Sequence, residues 1–377
     1  MKNILITGGA GFIGKALAKD LLSKGHFVRV IDNLTKQVHG NTGRKFHSGF
    51  EDNNRYEFYF GDVLNKSNMK EALRGIDSVV HLAAETGTGQ SMYEMKKYTE
   101  VNVVGTAVLL EAISEMDGQI NKLLVSSSRA VYGEGKYYCE LHGFIYPNGR
   151  KDSDMQEGIF EVLCPTCNNK LEKAPSNEES ALKPNSVYGI TKLAQEQMIL
   201  SFGRAHKIPT IALRYQNVFG PGQSLSNPYT GILSIFSTRI RNNGPINVFE
   251  DGLESRDFIF IDDVVRMTTL ALLDEGNIVE VFNVGSGVAT TVLEVVNLLQ
   301  EKLFSNVQVS ISGNFREGDI RHNLADISRF NSYFDYKPEV SFEVGIEKFC
   351  IWVREQQIHP DKYEESLNEL KTNGLLK

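Results

Sequence analysis

Near the start of the chain stands Thr7-Gly8-Gly9-Ala10-Gly11-Phe12-Ile13-Gly14, and its reading decides the fold. Before it, Lys2 to Thr7 is short and apolar enough to be a buried strand; after it, Lys15 to Lys24 reads as a helix ended by Gly25. Phe27 to Ile31 is a second strand, closed by Asp32, 18 positions beyond Gly14. Gly8, Gly11 and Gly14 each have a mechanical reason in such a unit: a tight turn, close approach of backbone to a pyrophosphate, and close packing of helix on strand. The diphosphate would lie at the helix N-terminus, where amide groups are free. An acidic residue ending the second strand accepts hydrogen bonds from the adenosine ribose and repels a 2′-phosphate, so NAD is favoured over NADP. A glycine pattern alone would say little. The strand before it, the helix after it and Asp32 at this spacing make it a dinucleotide-binding βαβ unit.

Outward from that unit the alternation continues. Asp77 to Ala84, Lys122 to Ser128 and Thr210 to Tyr215 read as strands, with helical patterns over Tyr93 to Met116 and Val187 to His206 between them. The fold class is therefore α/β, a doubly wound parallel (Rossmann) sheet. The expected division is an NAD-binding domain over residues 1–215 and a smaller substrate-binding lobe over 216–377, some segments of which return to the first domain. The stretch 134–186 breaks the rhythm: it is rich in Gly, Asn, Pro and charge and holds three of the four cysteines, as an insertion would. A final apolar pattern at positions 363, 367 and 370 predicts a surface helix over Tyr363 to Leu376.

At 377 residues, with 41% hydrophobic and 23% charged side chains, the chain can bury a large core. A net charge of −7 without any long basic run argues against nucleic acid or an anionic membrane as partner. The N-terminal apolar run is too short for a signal peptide, and none elsewhere approaches the roughly 18 residues of a membrane span, so a cytoplasmic protein is expected. Four cysteines are too few for a disulfide framework, which leaves metal or redox chemistry for Cys164-Pro-Thr-Cys167.

Two further fragments carry the chemistry. Ser126-Ser127-Ser128 closes an apolar strand, and Tyr188-Gly-Ile-Thr-Lys192 opens a helix. A tyrosine serves as a base near neutral pH only if its pKa is lowered, and Lys192, one helical turn on, puts an ammonium on the same face. Ser128 would bond the oxygen whose proton leaves, Tyr188 would take that proton, and the redox change would fall to the dinucleotide.

These fragments, with Gly61-Asp62-Val63, His81-Leu-Ala-Ala84, Asn102-Val-Val-Gly-Thr106, Leu213-Arg-Tyr-Gln-Asn217 and Arg256-Asp-Phe-Ile-Phe-Ile-Asp-Asp263, run in the order found in extended short-chain dehydrogenases/reductases. The chain resembles the nucleotide-sugar epimerase and dehydratase group of that family over nearly its whole length. The resemblance implies that Asp62 and Val63 flank the adenine, that Leu82, Ala83 and Ala84 pass under the diphosphate and nicotinamide ribose, and that Asn102 orients the strand ends. It places Phe12, Ile13 and Asn33 in the cofactor site as well, and has Lys192 hold the nicotinamide ribose. The family's 4,6-dehydratases carry Asp-Glu directly after the residue matching Ser128, because eliminating water needs a further acid and base. This chain has Arg129-Ala130 there. Epimerisation at C4 needs neither, so the expected activity is that of an NAD-dependent 4-epimerase. UDP-hexose epimerisation and simple dehydrogenation or reduction are the alternatives, and a non-catalytic nucleotide-binding scaffold is disfavoured by the intact Ser-Tyr-Lys set.

The implied partner is a nucleotide-diphosphate sugar. Arg256 and Arg316 match the family's phosphate contacts, and a planar guanidinium suits phosphate oxygens. Asn217 would also touch the diphosphate, Asp319 the nucleoside ribose, and Asn323 stands where related hexose epimerases carry a gate beside the sugar. The two long helices correspond to those that pair across a homodimer in this group.

In the insertion, Cys139-Glu-Leu-His142-Gly143 and Cys164-Pro-Thr-Cys167-Asn168 are two short-spaced ligand pairs, each followed by a residue tolerant of left-handed backbone. That pattern is two knuckles closing on one tetrahedral zinc, with Cys139, His142, Cys164 and Cys167 as ligands and no open position for chemistry. A Cys-containing insertion at this place, with Gly87 to Met92 and Gly318 to His322, resembles the branch acting on dTDP-L-rhamnose.

Overall fold

The structure, a computed structural model, describes residues 1–40, 46–116, 118–229 and 231–377. Its centre is a seven-stranded sheet whose spatial order is Val279–Val284, Thr210–Tyr215, Lys122–Ser128, Ser78–His81, Asn3–Thr7, Phe27–Asp32, Tyr56–Phe60. Every neighbouring pair is parallel. The chain therefore winds outward in one direction from Asn3–Thr7, then returns and winds the other way from Ser78–His81. The crevice over the ends of those two strands is the switch point, where open α/β sheets bind their ligands.

Alternation within the strands supplies both faces of the core. Ile4, Ile6, Val28, Val30, Val80 and Leu124 point to one side, onto Leu17 and Leu21 of helix Phe12–Ser23 and Val264 and Met267 of helix Ile261–Leu273. Leu5, Ile31, Val79, Leu123 and Val125 point to the other, onto helices Lys66–Leu73, Gly105–Ser114 and Val187–His206. A sheet covered on both sides needs such near-continuous apolar strands.

Two predicted helices differ in the structure. Tyr93 to Met116 is not one regular helix but Met95–Tyr98, a π-helical stretch Thr99–Val104, and Gly105–Ser114. The wide turn holds Asn102, fully buried, whose Oδ1 accepts from Glu85 N (2.7 Å) and whose Nδ2 donates to Thr191 Oγ1 (2.9 Å). The final helix, Tyr363–Thr372, is not a surface helix alone: Tyr363, Ser366, Leu367 and Leu370 are buried, and Lys377 and Phe315 exchange reciprocal backbone hydrogen bonds of 2.9 Å.

The 134–186 segment leaves the main sheet after a short helical turn, Arg129–Tyr132, and forms its own antiparallel sheet from Lys136–Cys139, Gly143–Ile145 and Glu172–Ala174. Its apolar core is small, made of Tyr137, Cys139, Val162, Cys164 and Leu171. The two ends of the segment meet at Gly133, where φ is 61° and a Cβ would fall 1.9 Å from Lys183 O. Among the described residues, no helix is long and apolar enough to cross a membrane.

Candidate active site

One continuous cavity of about 810 Å³ runs from the switch point to the C-terminal lobe. At the dinucleotide end it is lined by Gly8, Gly11, Phe12, Ile13, Gly14, Asp32, Asn33, Val63, Leu82, Ala83 and Ala84. Gly8 has φ 66°, and a Cβ there would stand 2.8 Å from the backbone N and Cα of Ala83. Backbone thus lies directly against backbone, with no side chain in the crevice. Helix Phe12–Ser23 opens at Gly11 without any side-chain cap, so its first amides face the cavity unpaired. Asp32 is oriented by Ala10 N (3.1 Å) and Leu34 N (2.9 Å). Burial pushes its carboxyl above the ordinary value, and these amides hold it back.

Asp62, expected beside the adenine, is not among the residues that line the cavity. Asp62 accepts from Asn33 Nδ2 (2.9 Å) and Leu64 N (2.9 Å), so it shapes the loop that Asn33 and Val63 occupy. Asn102 clamps the Glu85 backbone to helix Val187–His206 from within the core.

The reacting groups meet where strand Lys122–Ser128 ends. Ser186 caps the Tyr188 helix by accepting from Gly189 N (3.1 Å), and Tyr188 N donates to Ser91 Oγ (3.0 Å), which locks the first turn beside the serine strand. Ser128 faces the Tyr188 phenol closely enough to act on its ionisation. Burial raises its pKa, while Ser128 and the Arg129 guanidinium pull it down. The Lys192 ammonium donates to Gln195 Oε1 (2.8 Å) and Ser126 Oγ (3.4 Å), and burial pushes it down to about 7. Desolvation thus costs the amine part of its charge near neutral pH. Gln195 in turn bonds Thr106 Oγ1 (2.9 Å) and approaches His81 Nε2 (3.2 Å), so Lys192 ends a buried polar chain that the sequence did not reveal.

Arg129 is the main residue missed. It lines the cavity, its Nε donates to Asn217 Oδ1 (2.8 Å), and burial, with Arg256 nearby, pushes it down to about 10. In the sequence it registered only as a missing Asp; its use as a cation required knowing that Asn217 and Arg256 face it.

The far end gathers Asn217, Arg256, Arg316 and Asp319 in the same cavity. Three carbonyls fix Arg256: those of Ser255 (2.9 Å), Arg321 (3.0 Å) and Ile320 (2.8 Å). Arg316 Nε donates to Asp319 Oδ2 (2.7 Å). Burial opposes ionisation of Asp319, but the Arg316 and Arg256 cations prevail and keep its carboxyl below the ordinary value. Asn323 does not stand beside this cavity. It is buried against the 134–186 segment, its N donating to Ser255 O (2.9 Å), so the expectation of a sugar gate there fails; strand Ser255–Phe260 holds the peptide away from the cavity. Tyr363, Leu367 and Leu370 of the last helix supply a further wall.

The Cys/His cluster lies outside the cavity. The ligand atoms of Cys139, His142, Cys164 and Cys167 all fall within 4.8 Å of one another. Cys139 Sγ is 3.7 Å from Cys167 Sγ, and His142 Nδ1 is 3.5 Å from the sulfurs of both Cys139 and Cys164. Gly143 (φ 70°) and Asn168 (φ 56°) take the left-handed conformation after each pair.

The chain belongs to the NAD dependent epimerase/dehydratase family, whose model matches residues 4–149 and 165–285. It is an extended short-chain dehydrogenase/reductase. It is 37% identical over 357 residues to a dTDP-L-rhamnose 4-epimerase of Burkholderia thailandensis, covering 94% of this chain and 96% of that one. Among solved structures it is similar to the UDP-glucose 4-epimerase of Thermotoga maritima with UDP-glucose (28% identity, TM-score 0.74, 93% of this chain and 98% of that one). It is likewise similar to the UDP-glucuronic acid 4-epimerase of Bacillus cereus in complex with UDP-glucuronic acid and NAD (27%, TM-score 0.76, 93% and 99%).

The placement of Asp32 predicts cofactor choice. Asp32→Ser should reduce discrimination between NAD and NADP by about tenfold, close to 1.4 kcal/mol. Titration of each dinucleotide against protein fluorescence measures it, and unchanged discrimination would assign the selection to another residue.

Proposed function

We propose that the protein is an NAD-dependent nucleotide-sugar 4-epimerase acting on a dTDP-6-deoxyhexose such as dTDP-L-rhamnose. The observation that carries this reading is the Ser128–Tyr188 pair at the cavity wall, with Arg129-Ala130 where an elimination would need a second acid and base. The 37% identical relative named for that reaction supports the choice of sugar.

The residues fit the dinucleotide: the crevice between Gly8 and Ala83 would be filled by any Cβ, and Gly14 has Gly9 Cα only 2.5 Å from its own Cβ position. The open helix N-terminus and Asp32 would hold its diphosphate and adenosine ribose, Lys192 its nicotinamide ribose. When bound, NAD supplies the acceptor for the C4 hydride and its donor on return. Ser128 orients the C4 hydroxyl, and Tyr188 takes its proton. The phenolate this requires is favoured by the cation of Arg129, in a site where burial alone would keep the phenol protonated. Asn217, Arg256 and Arg316 grip the diphosphate, so the sugar can swing about its anchored end and present its other face. Tyr188 then returns the proton to the C4 oxygen. Substrate and product differ only in configuration, and nothing is consumed.

The Cys/His cluster is, on this reading, a structural zinc site. Tetrahedral bonds of the usual lengths put two sulfurs about 3.8 Å apart and sulfur and nitrogen about 3.6 Å apart, which the separations above match. A homodimer is also proposed, through the faces of Met95–Ser114 and Val187–His206 that expose Met95, Val104 and Ile190.

Three measurements test these readings. NMR of dTDP- and UDP-sugars incubated with the protein should show C4 epimers of the 6-deoxyhexose, with turnover by Tyr188→Phe reduced at least about 100-fold. Stoichiometric NADH release without epimer would establish a dehydrogenase. Elemental analysis should find one zinc per chain, and Cys164→Ser should lose it and lower the melting temperature; metal-free, fully stable protein would refute the site. Light scattering at micromolar concentration should give twice the chain mass, and a monomer would exclude the dimer.

A further inference from the structure

The turn 316–322 brings Arg316 and Asp319 to the cavity, and it is held from several sides. On one side strand Ser255–Phe260 takes it through Ser255 N to Arg321 O (3.1 Å) and Asn323 N to Ser255 O (2.9 Å). A second side is held by the 134–186 segment, with further contacts from Asp251, which accepts from Arg321 Nη1 (2.7 Å) and Nη2 (2.8 Å), and from Leu375 O, which accepts from Glu317 N (2.9 Å). Glu134 Oε1 accepts from Arg321 N (2.7 Å), and Arg150 Nη2 donates to the carbonyl of Asp319 (3.1 Å). Glu161 accepts from Arg321 Nε (3.1 Å) and Nη2 (2.7 Å).

Arg150 is the hub of this second side. Its two terminal nitrogens bond Glu250 in a bidentate pair (2.8 and 2.7 Å), and the same guanidinium also reaches Phe160 O (3.1 Å) and the Asp319 carbonyl. Glu250 lines the cavity and accepts from Arg321 Nη1 as well (2.9 Å). Arg150, Glu250 and Arg321 are all almost wholly buried. Ion pairs so placed contribute little net stability, because desolvation offsets their attraction, and an apolar contact would join two surfaces as firmly. What a planar, bidentate, charge-assisted contact adds is direction. Here it acts on the peptide of Asp319, three residues from Arg316.

We infer that Arg150 is a positioning residue for nucleotide-sugar binding, holding the 316–322 turn so that Arg316 and Asp319 face the ligand. The Cys/His segment is then the scaffold of the substrate end of the cavity, not a separate module. The inference rests on the reading of Arg316 and Asp319 as nucleotide contacts.

Calorimetric titration of the full-length protein with dTDP and, separately, with NAD tests it. Arg150→Met should weaken dTDP binding and raise KM for the sugar nucleotide about tenfold, with kcat and NAD affinity changed less than about twofold. Arg150→Lys, which keeps one donor for the Asp319 carbonyl, should recover part of the loss. A lowered melting temperature with unchanged dTDP affinity would reduce Arg150 to a structural role and overturn the inference. Should Arg150→Met fail to fold, Glu161→Gln, which keeps the shape and one acceptor oxygen, should weaken dTDP in the same selective way, and an unaltered dissociation constant overturns the inference equally. Arg316→Ala separates the two levels. If it weakens dTDP while Arg150→Met and Glu161→Gln do not, only the positioning role falls; if Arg316→Ala binds as wild type does, the nucleotide reading falls with it.

Discussion

Where the first strand ends and the order of the sheet reverses, backbone must touch backbone. The site of Gly8's missing Cβ lies 2.8 Å from the Ala83 backbone, and everything that binds in the cavity depends on that approach. A side chain there would separate the strand ends and close the crevice over them. The same constraint aims helix Phe12–Ser23 with its uncapped amides into the space the glycines leave. Asp32 and Ser128 inherit their positions from it, since both terminate strands of that one sheet.

Burial is the second determinant, and it acts on charge. In the reacting end of the cavity it raises Tyr188 and lowers Lys192 to about 7 and Arg129 to about 10. A tyrosine and a lysine in such a place do not form a simple acid–base pair. The lysine is tied into Gln195, Thr106 and His81, and His81 is itself pushed down to about 3, so its imidazole stays uncharged. The cation facing Tyr188 is Arg129, whose Asn217 contact also leads toward the end of the cavity that Arg256 and Arg316 line.

The sheet, the glycine turn and the Ser-Tyr-Lys set were legible because each obeys a local rule: period-two apolar strands, residues that only a tight turn requires, a one-turn spacing on a helix. The edge strands Tyr56–Phe60 and Val279–Val284 escaped notice, being partly exposed and mixed in polarity. The clustering of the two Cys/His pairs could be read because their spacing is local, and the left-handed Gly143 and Asn168 stand where the pattern put them. Arg129 and Arg150 could not be read, since each depends on a partner more than 80 residues away, Asn217 or Glu250. Asn323 misled for the same reason: its position along the chain says nothing about which side of strand Ser255–Phe260 it faces.

The meeting of Gly133 with the carbonyl of Lys183 has a consequence for how such a chain can change. When the ends of a segment already touch, lengthening what lies between them adds only a slowly growing closure entropy and leaves the parent sheet undisturbed. Residues between 134 and 182 are thus a place where new sequence can accumulate at little thermodynamic penalty. The segment that stands there in this chain is not peripheral, because its Glu134, Arg150 and Glu161 bond the turn beside the cavity. A permissive site for insertion can in this way become a site of dependence, where later loss of the added piece would no longer be neutral.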